Sequence, residues 1–314
     1  MIYTLENDYL KVCVCDLGAT LTKLIDKKTN IDMVLGFEDD QGYIDNGGCY
    51  LGASVGRNAN RIGNGEFKLN GTSYKLTVND NMNQLHGGFN NFYYKRWEVK
   101  ENSNNSITFT LFSKDGEEGF PGNLQAEVTY KLDKNNLIWS YSGESDQDTV
   151  FNMTNHSYFN LGNDNCYDLE LKVHTDKYSP TDEYALTLDK TVDVTGTNYD
   201  FKDFTQVKNN IETLPNGIDN NYAWEVMGDK LMAELRNNSL QLNVYSDLPD
   251  MHLYTSGNLT PCVGKYGKKY DRFSAVCLEC QFYPNGINYE GFIKPVLKKG
   301  EKQTHYIRYE VIGK

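Results

Sequence analysis

The sequence predicts an all-β protein, a large antiparallel β-sandwich folded as one domain over residues 1–314. Three observations carry the prediction. Apolar residues recur with period two in segment after segment, as in strands with one buried face. Helical periodicity is scarce, and strands without intervening helices exclude a doubly wound α/β fold or a (β/α)8 barrel. No Pro/Ser-rich linker divides the 314 residues, and no 20–50-residue repeat is found.

Taken along the chain, Leu10, Val12 and Val14 alternate with Lys11, Cys13 and Cys15. From Phe67 to Val78 the pattern is a hairpin, with Asn70-Gly71 supplying the two positive-φ positions of a type I′ turn. Ile107, Phe109 and Leu111 alternate with Thr108 and Thr110. The pattern continues in Leu124-Ala126-Val128-Tyr130-Leu132, in Leu169-Leu171-Val173 and in Leu240-Leu242-Val244. The best helix is predicted over Asp203–Leu214. Phe204, Val207, Ile211 and Leu214 share one face there, with Asp203 as N-cap and Gln206 three residues later.

Composition narrows the partners. The formal charge is −12, from 31 basic and 43 acidic side chains. Nucleic acid and anionic membrane select for basic faces, so neither is expected as a partner. No run approaches the ~18 consecutive apolar residues of a membrane span. The opening Met-Ile-Tyr-Thr-Leu-Glu-Asn-Asp lacks a basic segment followed by an apolar one, so no secretory leader is read. Seven cysteines, an odd number at irregular spacing, read as reduced thiols of a cytoplasmic protein. Cys277-Leu-Glu-Cys280 has metal-ligand spacing but no second pair, and strand alternation puts its thiols on opposite faces. No metal site is expected. Self-association has no signature in the sequence.

Chemistry concentrates at a few positions. Of five histidines, His86 is followed by two glycines, which let a ligand approach the backbone. His156 shares a polar face with Asn152 and Thr154 in an aromatic stretch, as a cleft lining would. His174 is expected in solvent, and His305 has no supporting context. Arg57 and Arg61, two of only six arginines, sit among Gly and Asn, whose planar forks suit vicinal hydroxyls. Glu279 lies in a strand apolar on both faces. Such a carboxylate is costly unless paired or functional, and desolvation raises its pKa toward that of a general base. A structural ion pair for Glu279 and a turn role for Asp219 stay open on local sequence. Phosphate-cradling motifs are missing.

Six segments together resemble the aldose 1-epimerase (galactose mutarotase) family. They are Val55-Gly-Arg-Asn-Ala-Asn-Arg-Ile62, Leu85-His-Gly-Gly88, Thr154-Asn-His-Ser-Tyr-Phe-Asn-Leu161, Gly196-Thr-Asn-Tyr-Asp-Phe201, Tyr254-Thr-Ser-Gly-Asn258 and Leu278-Glu-Cys-Gln281. The resemblance implies a single-domain β-supersandwich without metal or organic cofactor, interconverting the α and β anomers of free aldoses. It implies Glu279 as general base and His156 as general acid, with His86, Arg61, Asn60 and Asp219 holding the sugar. Two departures stand out. Ile218 and Asn220 flank Asp219 where the family often has histidines, and His252-Leu253 replaces Gln-Phe before Tyr254. Alternation puts His252 on the face opposite Met251 and Leu253. The family register implies that this face looks into the pocket, where His252 is expected to touch a sugar hydroxyl and tune substrate range, with a histidine in solvent as the alternative. Three alternatives stay open. One is a hexose-6-phosphate 1-epimerase, which needs a basic cluster. A glycosidase would use Asp219 and Glu279 as its carboxyl pair. The third is a non-catalytic sugar-binding domain.

Overall fold

A computed structural model describes residues 1–314, and three antiparallel sheets dominate it. The largest has nine strands, ordered Glu98–Asn102, Ser106–Ser113, Leu124–Asp133, Asn136–Ser145, Lys302–Gly313, Leu240–Ser246, Lys230–Arg236, Glu170–Val173 and Thr205–Gln206. Its centre is the Leu124–Asp133/Asn136–Ser145 hairpin, continued by the C-terminal strand. Alternation in Leu124–Asp133 is complete, with Leu124, Ala126, Val128, Tyr130 and Leu132 all buried.

A six-stranded sheet packs on this one, in the order Tyr158–Phe159, Val276–Gln281, Asp250–Tyr254, Asp219–Ala223, Lys177–Ser179 and Val192–Asp193. One of its faces supplies Met251, Leu253, Leu278 and Cys280 to a core of 52 buried residues running from Leu5 to Val311. Phe159 meets Tyr309 of the large sheet with ring centroids 5.2 Å apart. Dry apolar burial of this extent is the main stabilising term of such a fold. The opposite face of the same sheet carries His252, Tyr254, Cys277 and Glu279, because strand side chains alternate. A four-stranded sheet of Ile2–Glu6, Leu10–Cys15, Thr20–Asp26 and Ile31–Asp32 completes the main frame.

The predicted hairpin forms from Glu66–Leu69 and Thr72–Lys75, with Asn70 at φ 52° and Gly71 at φ 82°. Cys277 and Cys280 do face opposite sides, one in each of two separate core clusters. The predicted helix is corrected. Thr205–Gln206 is a strand that pairs with Glu170–Leu171, and helix covers only Val207–Ile211, so Asp203 is not its cap. Edge pairing in the large sheet takes the backbone that local capping would have used. Val207 and Ile211 do reach the core, whereas Phe204 lies under the Arg236 guanidinium at 3.5 Å. No helix is long and apolar enough to cross a membrane.

Candidate active site

The polar face of the six-stranded sheet opens into a cavity of about 180 Å³. Its floor is laid by strand register. His252 stands directly opposite Glu279, and Asp219 opposite Tyr254. Beside them the Thr154–His156 strand pairs with Ala53–Val55, placing His156 across from Ala53. Asn155 points the other way and fixes that strand by donating to the Gly52 carbonyl at 3.2 Å and to Tyr130 Oη at 3.1 Å. All seven residues expected at the site, Asn60, Arg61, His86, His156, Asp219, His252 and Glu279, line this one cavity.

Glu279 is 1% exposed, and its carboxyl makes no hydrogen bond within the protein; Oε2 is buried without a partner. Burial, with the Asp219 charge added, pushes it well above the usual carboxylate range. Its Oε1 lies 3.6 Å from His156 Nε2. His156 is packed between Tyr158, stacked at 5.1 Å, and Tyr50 at 6.1 Å. Burial lowers its pKa to about 4, so the imidazole rests neutral.

His86 adopts φ 53°, and its Nδ1 accepts the Asn60 backbone N–H at 3.2 Å. Burial keeps this ring neutral as well. With Nδ1 accepting, Nε2 carries the hydrogen and is a donor for a ligand. Arg61 Nε donates to Asp80 Oδ2 at 2.7 Å, which anchors the guanidinium and leaves its two terminal nitrogens without protein partners. Asn60 Oδ1 accepts from the Arg61 N–H at 2.8 Å, leaving the amide nitrogen for a ligand.

Asp219 begins a strand rather than occupying a turn. His252 Nε2 donates to its Oδ1 at 2.6 Å. Desolvation opposes the Asp219 charge, but the bond from His252 and the charges of His252 and Arg61 outweigh it and hold the pKa at about 2. His252 Nδ1 is buried without a partner.

Other residues stand elsewhere than their sequence context suggested. Arg57 grips no ligand. It is buried outside the cavity, donating to the carbonyls of Pro121 and Gly122 at 3.0 Å, to Ser113 Oγ at 2.6 Å and to Thr149 Oγ1 at 3.3 Å. His174 is half-buried and bonds Glu234 at 2.9 Å instead of lying free in solvent. His305 is buried against Asp247 at 2.8 Å. The sequence reading missed Asp80 and the aromatic walls Tyr50, Tyr158 and Tyr254. Arg61 beside an acidic turn was the available signal for Asp80; the tyrosines, among 23, had none. Larger clefts exist, about 390 Å³ beside Lys265 and about 760 Å³ beside Asp168. Neither gathers a carboxyl and an imidazole.

The fold is that of the galactose mutarotases. It superimposes on the GalM/aldose epimerase homologue from C. elegans with a TM-score of 0.92 at 28% identity, covering 100% of this chain and 99% of that one. Galactose 1-epimerase from Lactobacillus acidophilus gives 0.88 at 29% identity, over 99% and 93% of the two chains. The aldose 1-epimerase family profile matches residues 1–310. Bovine galactose mutarotase is 36% identical over 96% of this chain and 91% of its own length. Aldose 1-epimerase from Escherichia coli K12 is 31% identical over 99% and 95%. The chain belongs to the aldose 1-epimerase family, and it is an epimerase enzyme.

Proposed function

We propose that the chain, acting as one domain, interconverts the α and β anomers of free hexoses such as glucose and galactose. The observation that carries the reading is the unpaired Glu279 carboxyl facing His156 at 3.6 Å inside a cavity of hydroxyl-binding groups. Opening a hemiacetal needs a proton taken from the C1 hydroxyl and a proton given to the ring oxygen. Glu279 is the base and His156 the acid. Turnover uses the form in which Glu279 is ionised and His156 carries the proton. Ring opening then moves one proton onto Glu279 and one off His156. Rotation about C1–C2 presents the other face of the aldehyde, and reclosure reverses both transfers, so no covalent intermediate is needed. Each well-placed group contributes about 10²–10⁴-fold. Arg61, held by Asp80, stabilises charge at the opening ring oxygen. His86, Asn60, Asp219 and His252 bind hydroxyls.

A neutral sugar suits the cavity better than a sugar phosphate. Arg61 is its one Arg or Lys side chain, and two carboxyls face it. All seven cysteines stand unpaired, which supports a cytoplasmic location. Polarimetry on freshly dissolved α-glucose, α-galactose and glucose 6-phosphate tests the reading. Accelerated mutarotation of the free sugars is expected. Rates at the buffer background would overturn it, and preference for the phosphate would move the substrate class.

A further inference from the structure

Cys277 has no part in the proposed reaction, yet it lies against the two groups that do. It precedes Glu279 by two residues on the same strand and face, opposite Tyr254 on one side and Tyr158 on the other. One ring nitrogen of His156, the Cys277 sulfur and a Glu279 oxygen all lie within 4.8 Å of one another, and all three residues are buried. Two ligand atoms about 2.1 Å from one tetrahedral ion stand about 3.4 Å apart. The His156–Glu279 gap of 3.6 Å already has that span, and side-chain shifts of about 1 Å bring in the sulfur.

We propose that His156, Cys277 and Glu279 form an inhibitory site for a thiophilic divalent cation of the zinc class. A nitrogen, a sulfur and an oxygen donor in one cluster suit zinc and select against magnesium and calcium, which favour all-oxygen shells. Only three protein ligands converge, which leaves the fourth position to water, and the ion occupies the place of the sugar between His156 and Glu279. The cation enters through the same opening as the sugar, since His156 and Glu279 both line it. The ion is held by the thiolate, the carboxylate and the neutral imidazole, so coordination releases the Cys277 thiol proton to solvent. With both proton-transfer groups bound to metal, turnover stops. Magnesium at the same concentration leaves the enzyme active.

The test uses zinc chloride, with cobalt chloride as a spectroscopic substitute, on the full chain. Zinc is expected to inhibit mutarotation competitively with sugar, with EDTA restoring the rate. Cys277→Ser is expected to keep its uninhibited rate and to need at least about tenfold more zinc, because losing even an outer-shell partner of a bound metal costs 10–100-fold in affinity. Cobalt is expected to give a thiolate-to-metal charge-transfer band in the wild type that is missing from Cys277→Ser. Equal zinc sensitivity in wild type and variant, or no thiolate band, overturns the proposal. If Cys277→Ser does not fold, the cobalt band of the wild type decides alone. Cobalt binding and zinc calorimetry need no turnover, so an inactive but zinc-binding protein would count against the proposed reaction and not against the metal site.

Discussion

Replacing His156 by Asn tests both the acid role and the protonation state of the resting site. The folded protein holds His156 at a pKa of about 4 by burial; in the unfolded chain it titrates near 6.5. Between these values the unfolded state binds the extra proton and the folded state does not. Wild-type stability from this group is therefore complete above pH 6.5 and is lost as pH falls toward 4. The gap, at about 1.4 kcal/mol per pH unit, comes to roughly 3 kcal/mol. Urea unfolding of wild type and His156→Asn at steps between pH 7 and 4 reads it directly. Titrating groups remote from His156 contribute alike to both proteins and cancel in the difference. The variant is expected to gain roughly 3 kcal/mol on the wild type over that range, whatever the fixed offset from changed packing. Polarimetry at pH 7 should show kcat lowered by about 10²–10⁴-fold. A stability difference that does not move with pH would mean that the folded ring is charged like the unfolded one. A normal kcat would give the acid role to another group.

Three further outcomes follow from the same geometry. Glu279→Gln is expected to lose kcat rather than KM, and its stability relative to wild type should increase as pH rises above about 4.5, because burial holds the Glu279 carboxyl protonated where the unfolded chain has released it; an unaltered kcat removes it from the base role. His252→Gln keeps a donor for Asp219 but changes the geometry of that support, so KM and the glucose-to-galactose ratio should move by up to about tenfold while kcat on the better sugar holds; a collapse of kcat on both sugars would make His252 the acid. Arg57→Ala should destabilise by about 3 kcal/mol, since it leaves several buried acceptors without their donor, and refolded protein should keep its KM; a raised KM with normal stability would return Arg57 to the binding site.

The fold was legible because its strands are amphipathic. In Leu124–Asp133 every second residue is buried, and the pattern states the face directly. Asn70-Gly71 named its own turn. The Asp203–Leu214 segment misled because its local signals were sound. Asp203 and the Phe204, Val207 and Ile211 spacing satisfy helix rules, but pairing of Gln206 with Glu170 at a sheet edge outweighed them, a tertiary effect that no window of sequence contains. Arg57 misled for a related reason. A guanidinium among glycines and asparagines reads as a ligand fork, and only the three-dimensional path of Ser113–Gly122 shows that its acceptors are the protein's own carbonyls.

The candidate site was legible to a different degree, and the difference lies in what alternation can and cannot encode. Period two sets His252 opposite Met251 and Leu253, whereas the Glu279 strand is apolar on both faces and shows its site side only through the register that makes the two neighbours. The partner of each polar group is a separate matter, set by elements far away in sequence. Arg61 is held by Asp80 across a short two-strand pairing, His86 is oriented by the Asn60 backbone, and Asp219 owes its low pKa largely to His252. That last pairing changes the meaning of the departure at 252. Sequence alone made His252 a substitute contact for the sugar. In the fold its Nε2 is already taken by Asp219 at 2.6 Å, so its first effect is on the carboxylate, and only Nδ1 remains for a hydroxyl. The imidazole that supports the Asp219 carboxylate comes from the neighbouring strand.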